Sequence, residues 1–341
     1  RDDQADVLVG AAFTYLLDVK ADNALEESRE ILEERETRYL LAAVRTMGQF
    51  GGEPEAAQLI KAWEDDELEP PVKEAIVRAL GTLKRTESRE LLEDLAKSET
   101  ESKIIRMNAC DALGKLSDDR AIPTLIQVST GSDPNVRAAA IEALGQYTTS
   151  RARAAVREGL RDSHVLVRSA AIRAVEKSED SEAIPFLRYK VVYDPEKTVR
   201  DASIRLLARI STKKDAEFLL EFALDKKNGI SFRGQAFAAI LEHGDPSLHG
   251  SLLSAFNEAQ KEKDRAVFTT LVRAVSAVDK KSVEPFIRAL LTDTDFSMRM
   301  GAIVWIDRNK ASSFGPELQK LVDNDTNEAV RKRAALALGR F

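Results

Sequence analysis

A spacing of 31 to 35 residues recurs along the chain and constrains its fold more than any other feature. It is marked by ten anchor positions, at residues 40, 73, 106, 137, 168, 200, 233, 268, 299 and 331. The residue before each anchor is apolar: Tyr39, Val72, Ile105, Val136, Val167, Val199, Phe232, Val267, Met298 and Val330. The seventh residue after each is apolar too: Met47, Leu80, Leu113, Leu144, Val175, Leu207, Ile240, Val275, Ile306 and Leu338. At the third residue after, seven of the ten are Ala, with Ile76, Ser203 and Leu271 as exceptions. On a helix, positions −1, +3 and +7 lie one above another, so these columns predict a helix with a buried stripe whose small middle residue lets a partner helix come close. A period near 32 residues leaves room for two such helices and their turns.

The partner helix precedes each anchor. Ala121-Ile122-Pro123-Thr124-Leu125, Ala183-Ile184-Pro185-Phe186-Leu187 and Val283-Glu284-Pro285-Phe286-Ile287 are helix starts with proline in the first turn, where a missing N–H costs nothing. Asp118, Asp133, Ser163 and Asp194 stand where N-caps are expected. Only 10 Pro and 16 Gly are present, few for a protein of tight β-turns, while 32% of residues are charged. The expectation is an all-α chain of about ten helical hairpins, here labelled A then B, spanning residues 22–341 as one array. Val7, Leu8, Ala11, Tyr15 and Val19 give residues 1–21 one apolar face, expected to form a capping helix over the open end of the stack.

The stretch Asp118-x-x-Ala121-Ile122-Pro123-x-Leu125, followed by Asp133-Pro134-x-Val136-Arg137-x-x-Ala140-x-x-Ala143-Leu144-Gly145, resembles the HEAT-repeat family, in particular its short bacterial type named for the phycobilisome lyases. The resemblance covers about residues 24–341. It implies a right-handed α-α superhelix with A helices outside and B helices on the concave side. It further implies that the basic anchors (Lys73, Arg106, Arg137, Arg168, Arg200, Arg233, Arg299, Arg331) and the turn aspartates form ladders between neighbouring repeats. Leu40 and Phe268 depart from that pattern. Such a fold specifies no function by itself.

Little in the chain points to catalysis. Cys110, the only cysteine, sits in a column that is otherwise apolar, so it is expected in the core rather than as a nucleophile, and no disulfide within the chain can form. Of three histidines only His243 and His249 are close in sequence, and no phosphate loop, GxSxG or HExxH occurs. No catalytic residue, cofactor or metal site is therefore expected. The net charge of −6 disfavours a nucleic-acid module, and no apolar run of 18 residues is available to span a membrane. The start at Arg1 leaves a removed signal open, so cytoplasm and periplasm both fit.

The acidic runs at residues 26–36 and 64–67 are expected as solvated surface, and the arginine-rich stretch 151–173 either as an acid-binding segment or as stems lying over the core. The fifth residue after each anchor is expected to point towards the concave face. That series runs Arg45, Arg78, Asp111, Glu142, Arg173, Arg205, Ala238, Arg273, Val304, Leu336. Its change of sign suits a protein partner with a charge pattern of its own. The expected function is a non-catalytic protein–protein interaction scaffold that binds a partner along its concave face through Arg78, Asp111, Glu142, Arg173 and Arg205. A phycobilin-lyase-like chaperone or enzyme and a HEAT-like nucleic-acid module are the alternatives.

Overall fold

In the computed structural model, residues 21–36, 38–210, 213–243, 246–261, 265–278 and 281–341 are described. The capping helix expected over residues 1–21 lies outside them, apart from Ala21, which opens the first helix. Twenty α-helices and no strand are found among the described residues. The chain divides into two compact units, Arg1–Ala183 and Ile184–Phe341.

The first unit contains α1 (Ala21–Glu34), α2 (Leu40–Phe50), α3 (Glu53–Trp63), α4 (Pro70–Leu83), α5 (Arg89–Lys97), α6 (Lys103–Leu116), α7 (Ile122–Val128), α8 (Pro134–Leu144), α9 (Ser150–Gly159) and α10 (Val165–Ser178). Odd-numbered helices are the A helices and even-numbered ones the B helices. Each A helix packs on the B helix that follows it, and the B helices pack on one another in chain order from α2 to α10. Met47, Leu80, Leu113, Leu144 and Val175, the +7 column, are fully buried, as are Ala43, Ala109, Ala140 and Ala171 of the +3 column. Burying a side chain of Leu size contributes roughly 1.5–3 kcal/mol, so a column repeated in every hairpin dominates the stability of the stack.

A second contact lies between neighbouring B helices. A Cβ built on Gly48 would lie 2.8 Å from the Cα of Ala79, and one on Gly81 2.8 Å from the Cα of Ala112. The corresponding distances are 3.0 Å for Gly114 to Ala143 and 2.9 Å for Gly145 to Ala174. The eighth residue after each of these anchors is thus glycine because the backbone of the next repeat occupies the space a side chain would need. Tyr147 adds a tie across the same seam: its buried hydroxyl donates to the Leu113 carbonyl at 2.6 Å.

The second unit contains α11 (Ile184–Tyr193), α12 (Lys197–Ile210), α13 (Lys213–Leu224), α14 (Ile230–His243), α15 (His249–Lys261), α16 (Arg265–Ala277), α17 (Glu284–Leu291), α18 (Phe296–Arg308), α19 (Gly315–Asn324) and α20 (Glu328–Leu338). Its hairpins pair and stack in the same order. Leu207, Ile240, Val275 and Ile306 are fully buried, while Leu338 in the last helix is half-buried. Here the interior is aromatic: Phe256 packs on Phe268 and Phe286 with ring centroids 5.1 and 5.5 Å apart, and Phe286 meets Phe237 edge-on at 5.8 Å.

The helix starts largely follow the expected caps. Asp133 accepts from the Asn135 N–H and Asp118 from the Arg120 N–H. Two assignments shift. Ser163 is not the cap of α10: His164 is, its Nδ1 accepting from the Leu166 N–H, because Asp162 has taken the turn and accepts the His164 N–H at 2.7 Å. Asp194 likewise holds the turn before α12 by accepting the Glu196 N–H.

Candidate functional site

With −1, +3 and +7 turned inward, the +5 residues face solvent on one side of the B helices. Arg78 on α4, Asp111 on α6, Glu142 on α8 and Arg173 on α10 are all exposed in the first unit. Glu142 and Arg173 bridge neighbouring helices at 2.9 Å with both side chains about half exposed. Asp111 pairs instead with Lys115 on its own helix at 2.7 Å, and Arg78 stands 3.6 Å from Glu74. Exposed pairs like these contribute little to stability, which leaves the charges available to a partner.

Between α6 and α8 this face forms a groove of about 200 Å³, bounded by Asn108 and Asp111 on one wall and by Glu142 and Gln146 on the other, with Ala139 and Ala143 beneath. The close approach at Gly114 and Ala143 keeps the floor flat and shallow. The Asn108 amide nitrogen is buried there without a hydrogen-bond acceptor among the described residues. Chemically the groove offers two carboxylates and two amides on rigid helices and no nucleophile–base pair, so it can hold a ligand by charge and hydrogen bonding. Asn108, Lys115 and Gln146 were not singled out from the sequence. Lys115 was detectable as the i+4 partner of Asp111, whereas Asn108 and Gln146 become wall residues only once neighbouring helices are placed side by side.

Arg205 is exposed on α12 of the second unit and makes no ion pair among the described residues. It is therefore not brought together with the other four within one unit.

The basic anchors lie elsewhere. Arg168, Arg233 and Arg299 are buried. Arg137 donates to the carbonyls of Gly131 and Ser132 at 3.1 and 2.9 Å, Arg168 to those of Asp162 and Ser163, and Arg299 to those of Asp293 and Thr294. Arg106, Arg200 and Arg233 reach the carbonyls of Ala96, Val191 and Ala223 near the end of the preceding A helix. Two anchors also span to the next repeat: Arg137 grips Asp162 with two bonds of 2.9 Å, and Arg299 grips Asp325 at 2.7 and 2.8 Å. The Arg299 side-chain bond holds the Asp325 carboxyl below its ordinary range. At Asp162 burial is the largest influence and pulls upward, but the Arg137 bond, the His164 N–H and the nearby positive charge together outweigh it and hold the carboxyl low.

Cys110 is fully buried, and burial pushes its thiol up to about 12, far from a thiolate nucleophile at neutral pH. Trp305 is buried with its indole N–H on the Val278 carbonyl, so it is not presented for stacking on a base, while Trp63 is half-buried with Lys73 over its ring at 5.3 Å. Among the described residues no three His, Cys, Asp or Glu side chains are grouped to hold a metal ion, and no helix is long and apolar enough to cross a membrane.

Residues 1–336 match a family described as Spirochaete HEAT repeat protein. No curated protein matches the chain. Among solved structures it is similar to Kap95p, the yeast importin-beta, in a structure with RanGDP, at 15% identity and a TM-score of 0.58 over 93% of this chain and 50% of that one. It is similar to importin beta crystallised from polyethylene glycol at 14% identity and a TM-score of 0.53, over 98% of this chain and 56% of that one. The CpcE–CpcF complex of phycocyanin lyase from Nostoc matches at 22% identity with a TM-score of 0.40, over 64% of this chain and 86% of that one. The chain thus spans about half the length of the importin-beta structures it matches.

Proposed function

The chain belongs to the spirochaete HEAT repeat protein family, and we propose that it works as a non-catalytic scaffold that holds a protein partner on the exposed face of its B helices. The observation that carries this reading is the first unit's fixed row of opposite charges. Arg78, Asp111, Glu142 and Arg173 stand at one position in four successive repeats, with a polar groove between the middle two. Helices packed this tightly fix the backbone positions that carry those charges, so the scaffold itself needs little ordering when a complementary segment binds. The buried thiol and the anchor arginines bound to main-chain carbonyls leave the chemistry of this face to binding.

The test is affinity capture from the source cell with the full chain and with a Glu142→Arg, Arg173→Glu exchange combined with Asp111→Lys. The expected result is loss of the captured partner with an unchanged circular-dichroism melt, and a parent interaction that weakens as salt rises. A partner retained at parental strength by the triple variant would place binding outside this face.

A further inference from the structure

The same face of the second unit has a different chemistry. At the +5 position α18 carries Val304 and α20 carries Leu336, 45% and 59% exposed, where the first unit carries charge. The two helices are packed neighbours, so these residues lie one inter-helix step apart, roughly 10 Å. Met300 is half-buried one turn before Val304. Gly301, on the exposed side of α18, leaves bare backbone beside them: a Cβ placed there would meet nothing within 4 Å.

Cations surround this strip. Arg273, at +5 on α16, is exposed and makes no ion pair among the described residues. Arg308 reaches across to α16 and donates to the Ser276 carbonyl at 2.9 Å. Arg340 and Arg333 both bind Asp307, at 2.7 and 2.8 Å. Lys332 pairs with Glu328. Among the described residues, Asp307 is already held between two guanidiniums and Glu328 is held by Lys332, while Arg273 makes no ion pair. Guanidiniums tethered this way keep further N–H groups in fixed directions, which suits carboxylates better than mobile lysines would.

We propose that the exposed face of α16, α18 and α20 is a docking surface for an acidic peptide segment. Large apolar side chains of that segment pack on Val304, Leu336 and the bare backbone at Gly301, while its Asp and Glu residues meet Arg273, Arg308 and Arg340. The apolar centre is what favours peptide over nucleic acid, since a phosphate backbone has nothing to place there. The surface is separate from the first unit's groove, and the proposal stands whether or not that groove binds.

Random 16-residue peptides displayed on phage and selected on the full chain provide the test. Enriched sequences are expected to combine Asp or Glu with two or more of Leu, Ile, Phe or Met. Synthetic copies are expected to bind the Arg273→Glu variant about ten-fold more weakly or worse. Gly301→Leu is the second arm. It should also weaken binding by about ten-fold while leaving the melting temperature unchanged or higher, because leucine is the better helix former and has open space at this position. Parent-level binding by the Asp111→Lys, Glu142→Arg, Arg173→Glu variant is expected as well. The proposal is overturned by an absence of enriched peptides, by peptides lacking the acidic and apolar signature, by binding that Arg273→Glu and Gly301→Leu leave intact, or by an oligo-dT strand that outcompetes every selected peptide.

Discussion

The two units use one repeat length but join their repeats differently. In the first, Gly48, Gly81, Gly114 and Gly145 lie against the backbone of Ala79, Ala112, Ala143 and Ala174, so neighbouring B helices meet main chain to main chain. In the second, the same two columns read Ala208, Leu241, Ser276 and Asp307 against Ala239, Ala274, Trp305 and Ala337. Side chains fill that seam, and α16 and α18 touch over a short stretch. The core compensates in kind: eleven of the 13 phenylalanines lie in the second unit. One period is therefore compatible with two interiors, a small-residue seam with an aliphatic core and a seam filled by side chains with an aromatic core. What the period requires is the inward stripe; the distance between repeats is set separately by the residues at +6 and +8.

The largest effect that tests this contrast is expected from Phe256→Ala. Phe256 is fully buried and touches two other rings, so its truncation should cost about 3–5 kcal/mol. Hydrogen exchange read peptide by peptide should show protection falling in α12–α18 and holding in α2–α8. A uniform loss over the whole chain would show that the two interiors are not separate cooperative bodies, and the comparison would fail.

Gly81→Ala comes next. Its new methyl would lie 2.7 Å from the Ala112 Cβ and 2.8 Å from its Cα, and backbone cannot step aside as a side chain can. Overpacking of this kind costs about 1–3 kcal/mol, against the usual gain for replacing a helical glycine with alanine. Urea titration should locate the loss in the first unit. A neutral or stabilising result would mean the seam is looser than its distances imply.

The smallest effect concerns what the two units share. Arg137–Asp162 in the first and Arg299–Asp325 in the second are equivalent rungs, and both carboxyls are held below their ordinary value. A depressed carboxyl stabilises the fold above its unfolded pKa of about 3.9, and that contribution is lost as pH falls through the lower folded value. Asp162→Asn and Asp325→Asn should each lower stability at neutral pH and flatten its decline below about pH 4, to a similar extent. Unequal flattening would show that the rungs are not equivalent.

The inward stripe was legible in the sequence because helical geometry alone places −1, +3 and +7 on one side. The same geometry made the +5 series legible as exposed. The seam was not, although the Ala-Leu-Gly ending of several repeats was visible. Gly81 matters because it faces Ala112, and that pairing depends on how far one repeat slides along the next. Nor did spacing show that Arg173 would bridge to Glu142 while Asp111 stayed on its own helix with Lys115, since long side chains choose among several reachable partners. The cap at His164 was hidden for a related reason. Asp162 and Ser163 both precede the helix, and only the bond from the His164 N–H to Asp162 decides which residue starts it.

The anchor arginines carry a consequence for how such a chain lengthens. Arg137, Arg168, Arg299 and Arg331 fasten the turn before their helix through its carbonyl oxygens, as with Arg331 on Asp325. Every residue type supplies a carbonyl, so this fastening is indifferent to the identity of the residues it fastens. The turns so held include Gly131-Ser132-Asp133 and Asp162-Ser163-His164, which share only the central serine. A duplicated repeat would bring its own fastener and find a usable turn already within its own stretch of chain. Copying a stretch of some thirty residues in the gene would then add a working hairpin at once, and its exposed face could diverge afterwards without loosening the joint that holds it.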